Sequence, residues 1–330
     1  MPSADLVGYS NLALYSAMGV FTVSMLLFAT YLAALGPVRT ERAASLRDRE
    51  LVGAGRAARD GTEAGTGIPA PGDAADEPSL RARKTANIAL SLAWLGSLLL
   101  VASVVLRGVA VMRPPWGNMF EFATAGCAVA ALGYCAVARR QRWEWLGLFV
   151  IGPVLLTLGL SLFAFYTEAA ELVPALKSVW LTIHVVVAFL AVAVFTVGFS
   201  IGILYLVKRR REEQPPARRN FVESLPAAAS LERTAYGLNM VGFILWTFTL
   251  VAGAIWAQKA WSSYWTWDPK EVWTFVIWVV YAAYMHARAT AGWEPRKAMW
   301  IALVGYVCVL LNFTVVNLFF TGMHAYSGLK

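Results

Sequence analysis

Cysteine is scarce: the chain holds three, Cys127, Cys135 and Cys308, in 330 residues. Each lies inside an apolar run and none forms a Cys-x-x-Cys pair. Thiol exchange and structural zinc are thereby excluded, leaving three small apolar side chains. Charged residues make up only 15% of the chain against 58% hydrophobic, the composition of a polytopic membrane protein rather than of soluble domains. No internal repeat is visible. The first apolar run lacks a basic leader and is too long for a signal-peptide core, so it is expected to be retained. No residue stands in a pattern that marks a nucleophile or a general base.

What is present is a series of apolar runs, each about the 20 residues that a membrane-spanning helix needs. They cover residues 10–35, 85–106, 119–138, 145–166, 179–207, 238–256, 272–289 and 298–320. The expected fold is all-α, with eight transmembrane helices. Residues 1–36 form the first of them. Residues 37–84, rich in Ala, Gly, Arg, Asp and Glu, read as a flexible cytoplasmic linker. Residues 85–330 form a seven-helix membrane domain, in which 215–236 is polar to amphipathic and suited to lie along the surface. Of the 28 Lys and Arg residues, 22 fall in the loops after spans one, three, five and seven. The basic side is cytoplasmic by the positive-inside rule, which puts both termini and the loop between helices six and seven outside. The net charge of +8 is thus a topology signal and does not point to nucleic acid.

That outer loop is the densest feature of the chain. Residues 256–273 read WAQKAWSSYWTWDPKEVW. Trp256, Trp261, Tyr264, Trp265, Trp267 and Trp273 surround Asp268, Pro269, Lys270 and Glu271. Asp-Pro ends one helix, and Pro269 and Glu271 suit the first turn of the next. An aromatic belt at the membrane interface accounts for one or two Trp per helix end. A run this dense suits a flat, mostly apolar ligand.

Only three histidines are present. His184 falls just inside the outer end of span five and His324 just beyond the outer end of span eight, both level with the Trp-rich loop. Two readings stand: unrelated interface histidines, or a pair of neutral imidazoles facing each other across a flat cofactor, the arrangement of bis-histidine haem ligation. His286 lies about 21 Å below the outer loop on span seven, with Ala282 and Ala283 leaving space on its face. An ionisable residue at that depth is a functional candidate, the alternatives being a histidine satisfied by a neighbouring helix or one that snorkels near the inner edge. No helix carries two histidines, which excludes a multi-haem cytochrome b. Trp116, Gly117, Asn118 and Glu121 open span three, where Glu121 either contacts the ligand or the Trp-rich loop, or complements the helix dipole. Arg113, Lys177, Lys259 and Lys270 are outer cations. Asn312 and Asn317 read as interhelical hydrogen-bonding residues.

The run AWSSYWTWDPKEVW resembles the tryptophan-rich WWD signature of haem-handling proteins in cytochrome c maturation. With WGNMFE before span three and YAAYMHAR in span seven, the chain resembles the CcsA/ResC family of the system II pathway, often labelled CcsB in actinobacteria. The resemblance runs from about Arg83 to His324. Where the family motif usually has Gly, this chain has Ser262. The resemblance implies that haem b reaches an inner site at His286, completed by a ResB-type partner subunit. It then moves to an outer site under the WWD loop with His184 and His324 as axial ligands. There the Cys-x-x-Cys-His of an apocytochrome c would meet it, in a synthase of the plasma membrane. Rival readings are a transporter or flippase for a non-haem aromatic substrate, and an electron-transfer subunit that keeps its haem.

Overall fold

The computed structural model describes residues 4–60, 80–168, 178–214, 222 and 225–324, with the backbone alone over 36–60. Among the described residues there is no strand. The helices are α1 (Ala4–Asp60), α2 (Leu80–Ala110), α3 (Met119–Gln141), α4 (Gly147–Ala164), α5 (Val179–Glu212), α6 (Ala228–Trp261), α7 (Pro269–Ala289) and α8 (Pro295–Leu311). A π-helix, Asn312–Val316, continues α8, and a last short turn, Asn317–Phe319, follows it.

Several helices overrun the expected spans. Helix α1 continues to Asp60, through residues assigned above to the linker, and α2 starts at Leu80. The added residues are rich in Ala, Arg and Glu, which favour helix even where they cannot sit in hydrocarbon. The rest of that linker, 61–79, lies outside the described residues, as do Lys177 and most of 215–227. Helix α6 begins at Ala228, so the second half of the expected surface segment belongs to it.

Among the described residues, seven helices are long and apolar enough to cross a membrane, and α7 is not among them. Its 21 residues reach about 31 Å, yet Lys270, Glu271, His286 and Arg288 interrupt its apolar content. It nevertheless packs between α6 and α8 within the bundle.

The long pairs α1–α2 and α5–α6 anchor two groups of four helices, which meet chiefly through α3 against α5. Small residues let the helices approach, as expected where lipid removes the hydrophobic drive between them. A Cβ on Gly96 of α2 would lie 2.7 Å from the Phe21 ring of α1, and one on Gly242 of α6 would lie 2.6 Å from Phe195 of α5. Phe195 in turn stacks on Tyr281 of α7, centroids 3.8 Å apart. The basic residues gather at one end of the bundle, where Arg288 pairs with Glu232 at 2.5 Å and Arg296 with Glu213 at 3.9 Å. The site lies at the other end.

Candidate functional site

Three helix starts and two helix ends converge at that opposite end. Helix α3 starts under an Asn118 cap, whose side chain accepts from the Glu121 amide at 2.9 Å. Helix α5 starts at a Ser178 cap. Helix α6 stops at Ser262, which adopts the left-handed conformation at φ +59°. Helix α7 restarts at once through a capping box: Asp268 and Glu271 satisfy each other's orphan amides, with Pro269 in the first turn. The Trp-rich stretch is therefore mostly helix. Trp256 and Trp261 belong to α6, Trp273 belongs to α7, and the connection is seven residues, 262–268.

These ends enclose a cavity of about 240 Å³. Its wall carries both His184 and His324, together with Trp256, Tyr264, Trp265, Lys270 and Glu271. Trp116, Gly117 and Asn118 close it from α3. The two imidazoles flank one indole. His184 stacks along Trp256 at 6.2 Å, and His324 meets Trp256 edge-on at 5.6 Å and Trp261 at 5.3 Å.

Each imidazole has its Nδ1 engaged. His184 Nδ1 lies 3.0 Å from the Thr249 carbonyl oxygen. A carbonyl only accepts, so Nδ1 carries the proton and Nε2 presents a lone pair. His324 Nδ1 lies 2.8 Å from Asp268 Oδ2, the carboxylate–histidine pairing that orients metal-ligating imidazoles. Asp268 also accepts from the Met323 amide at 2.6 Å and the Lys270 amide at 3.1 Å. Burial works against its charge. The hydrogen bond and charge of His324 and the two amides outweigh that burial, and the carboxyl is held below its ordinary range. The donor set fits a flat metal complex taken between two imidazoles. Beside it, two buried polar atoms, Trp261 Nε1 and Glu271 Oε1, have no hydrogen-bond partner among the described residues.

Gly253 makes room for His184: a Cβ there would lie 2.8 Å from the ring. Gly253 and Thr249 escaped sequence reasoning, since nothing in an apolar run marks a glycine as facing a histidine. Asn312 and Asn317 do bridge helices, but both also line the cavity. The Asn312 carbonyl, at the start of the π-helix, accepts from Lys270 Nζ at 2.9 Å, and Asn317 Nδ2 reaches Met119 sulfur at 2.8 Å. Widened turns of this kind recur at functional sites.

Other expected site residues fall outside the cavity wall. Trp267, at φ +60°, is 77% exposed and packs on Trp265. Trp273 is half-buried on α7. Pro269 lies behind His324 in a minor recess. Glu121 touches neither the cavity nor the Trp-rich connection. It is wholly buried, pairs with Arg107 at 3.0 Å and Arg113 at 2.7 Å, and accepts from the Gly117 amide at 2.9 Å. Its carboxylate fixes the turn that presents Trp116. His286 is on the outer face of the bundle, exposed, roughly 26 Å along α7 from Pro269. Arg113 serves Glu121, and of the outer cations in the described residues Lys270 is the one on the wall.

Fold and site together define a helical membrane protein with an aromatic-walled chamber at one end of its bundle and two oriented imidazoles on the wall. Residues 116–324 match the family described as cytochrome C assembly protein. The cytochrome c biogenesis protein CcsA of Gloeothece citriformis is 32% identical over 302 residues, covering 76% of this chain and 89% of the relative. CcsA of Chlamydomonas reinhardtii is 34% identical over 238 residues, covering 70% of this chain and 66% of that one. A solved structure, the cytochrome c heme lyase CcmF, superposes with a TM-score of 0.61 at 14% identity, over 95% of this chain and 47% of the other. That likeness concerns the fold. The chain belongs to the CcsA-type cytochrome c biogenesis proteins of the cytochrome c assembly family.

Proposed function

We propose that the chain binds haem b in this chamber, with His184 and His324 as axial ligands, and presents it for covalent attachment to an apocytochrome c. The observation that carries the reading is the shared wall: two histidines 140 residues apart in sequence reach one cavity, each with its Nδ1 engaged. Thr249 and Asp268 orient the imidazoles, Trp256 and Trp265 cover apolar surface, and Lys270 offers a cation to a propionate. In the attachment, each thiol of Cys-x-x-Cys-His adds across a vinyl group. A carbon–sulfur bond forms, and the thiol proton ends on the neighbouring vinyl carbon, with no net redox change. The chain's own share is positioning, protection of the iron and exclusion of water, as a subunit of a system II synthase.

The reading extends to topology. Helix α7 spans the plasma membrane as an eighth helix, both termini lie outside with the chamber, and the basic end is cytoplasmic. The exposed face around His286 receives a ResB-type subunit, which completes an inner haem site.

The test is the visible spectrum of the purified chain supplied with haem, as wild type and as His184→Ala and His324→Ala. The expected result is a low-spin bis-histidine spectrum, shifted or lost in each variant. Identical spectra in all three would remove the ligand assignment and favour a transporter of another aromatic substrate.

A further inference from the structure

A second cavity, about 960 Å³, opens between α5 and α8 at the basic end of the bundle, away from the chamber. Its walls are Phe199, Ile203 and Val207 on α5 and Trp300, Val304 and Val307 on α8. Ile203, Val207, Trp300, Val304 and Val307 are each between 40% and 56% exposed. Both helices are apolar enough to cross a membrane, which would turn these side chains towards hydrocarbon, the surroundings of an acyl chain. The mouth is different. Among the described residues, Arg209, Arg210 and Arg296 line it with a single carboxylate, Glu213. Glu213 pairs with Arg209 at 2.7 Å and reaches Arg296 at 3.9 Å, which holds two guanidinium groups beside each other and leaves the mouth positive.

We infer that this groove is a binding site for an anionic phospholipid, with the headgroup phosphate at the arginines and one acyl chain along α5 and α8. Basic pockets between spanning helices recognise such headgroups, each arginine near the membrane surface favouring the anion about fivefold. Trp300, amphipathic and half-exposed, marks the level where headgroup meets hydrocarbon. The site is independent of the haem reading, since none of its residues touches the chamber.

The experiment is native mass spectrometry of the full chain, released from detergent with equal amounts of palmitoyl-oleoyl phosphatidylglycerol and palmitoyl-oleoyl phosphatidylcholine. Wild type is expected to retain phosphatidylglycerol preferentially. Arg210→Gln and Arg296→Gln should each weaken that retention about fivefold, and dihexanoyl phosphatidylglycerol, too short to fill the groove, should not be retained. Arg210 is exposed and the Arg296 side chain is 54% exposed, so the single variants keep the fold, as an unchanged melting temperature will confirm. Equal retention of the two lipids, undiminished retention by both variants, or displacement of phosphatidylglycerol by haem b would overturn the inference.

Discussion

Replacing Asp268 by Asn changes one oxygen to an NH₂ and tests the chamber at its most connected point. Besides the Glu271 amide of the capping box, the carboxylate accepts from His324 Nδ1 at 2.8 Å, the Met323 amide at 2.6 Å and the Lys270 amide at 3.1 Å. An Asn side chain has one accepting oxygen. If the oxygen faces Met323, the NH₂ opposes the Lys270 amide and forces His324 Nδ1 to accept. The proton then moves to Nε2, the atom that would ligate iron. If the oxygen faces His324, the Met323 amide loses its acceptor and the turn that carries His324 loosens. Charge-assisted hydrogen bonds of this kind contribute about 1.5–3 kcal/mol each. Loss of the partner that orients a metal-bound imidazole lowers affinity about 10–100-fold. Asp268→Asn is therefore expected to weaken haem binding by about that factor, measured by equilibrium titration of the Soret band, with a shift from low spin towards high spin. An Asp268→Asn protein that titrates with wild-type affinity and keeps a wild-type spectrum would refute the reasoning. The same contact gives a pH dependence. A carboxyl held below its ordinary value contributes stability that is full above the unfolded value of about 3.9 and is lost as pH falls through the folded value. Haem release on acidification should thus begin below about pH 4, and in Asp268→Asn this component should be absent.

Three further substitutions separate structural from ligand-facing roles. Glu121→Ala leaves Arg107 and Arg113 buried without their carboxylate, and should lower stability by about 3–5 kcal/mol, read as a large drop in melting temperature. Gly253→Ala puts a methyl 2.8 Å from the His184 ring. It should alter the haem spectrum while changing the melting temperature by no more than a few degrees. Ser262→Gly relieves a left-handed residue at φ +59° and should raise stability by about 1 kcal/mol, measured by thermal denaturation in detergent.

The helices were legible because an apolar run of about 20 residues in a chain with so few charges has one structural meaning. Their ends were less so. Polar, helix-favouring residues extend α1 to Asp60 and start α6 at Ala228, and hydropathy registers only the part that lipid would touch. Helix α7 shows the converse: its Trp and Tyr residues and its four ionisable groups dilute the apolar signal of a helix that packs inside the bundle. At the site, the level of His184 and His324 along their helices was readable, since depth follows from counting residues. Their neighbours were not. Asp268 was noticed as a helix stop, whereas its bond to His324 spans 56 residues and depends on how the end of α8 folds over α7. Glu121 stood as a choice between ligand contact and dipole partner, and the choice turned on Arg107, at the end of α2, and Arg113, in the turn that follows.

The π-helix at Asn312–Val316 carries a consequence for how this end of the molecule tolerates change. A π-turn accommodates about one residue more than an α-turn, so the chain from Asn317 to His324 is rotated by about 100° relative to an uninterrupted helix. Asn317 and the chain leading to His324 owe their heading to that one additional residue. Deleting a single position there would restore regular α-helical phase and swing the stretch that carries His324 to another face of α8. The side chains on the wall could all be kept and the chamber still lost, because what aims the second imidazole is a count of residues as much as their identity.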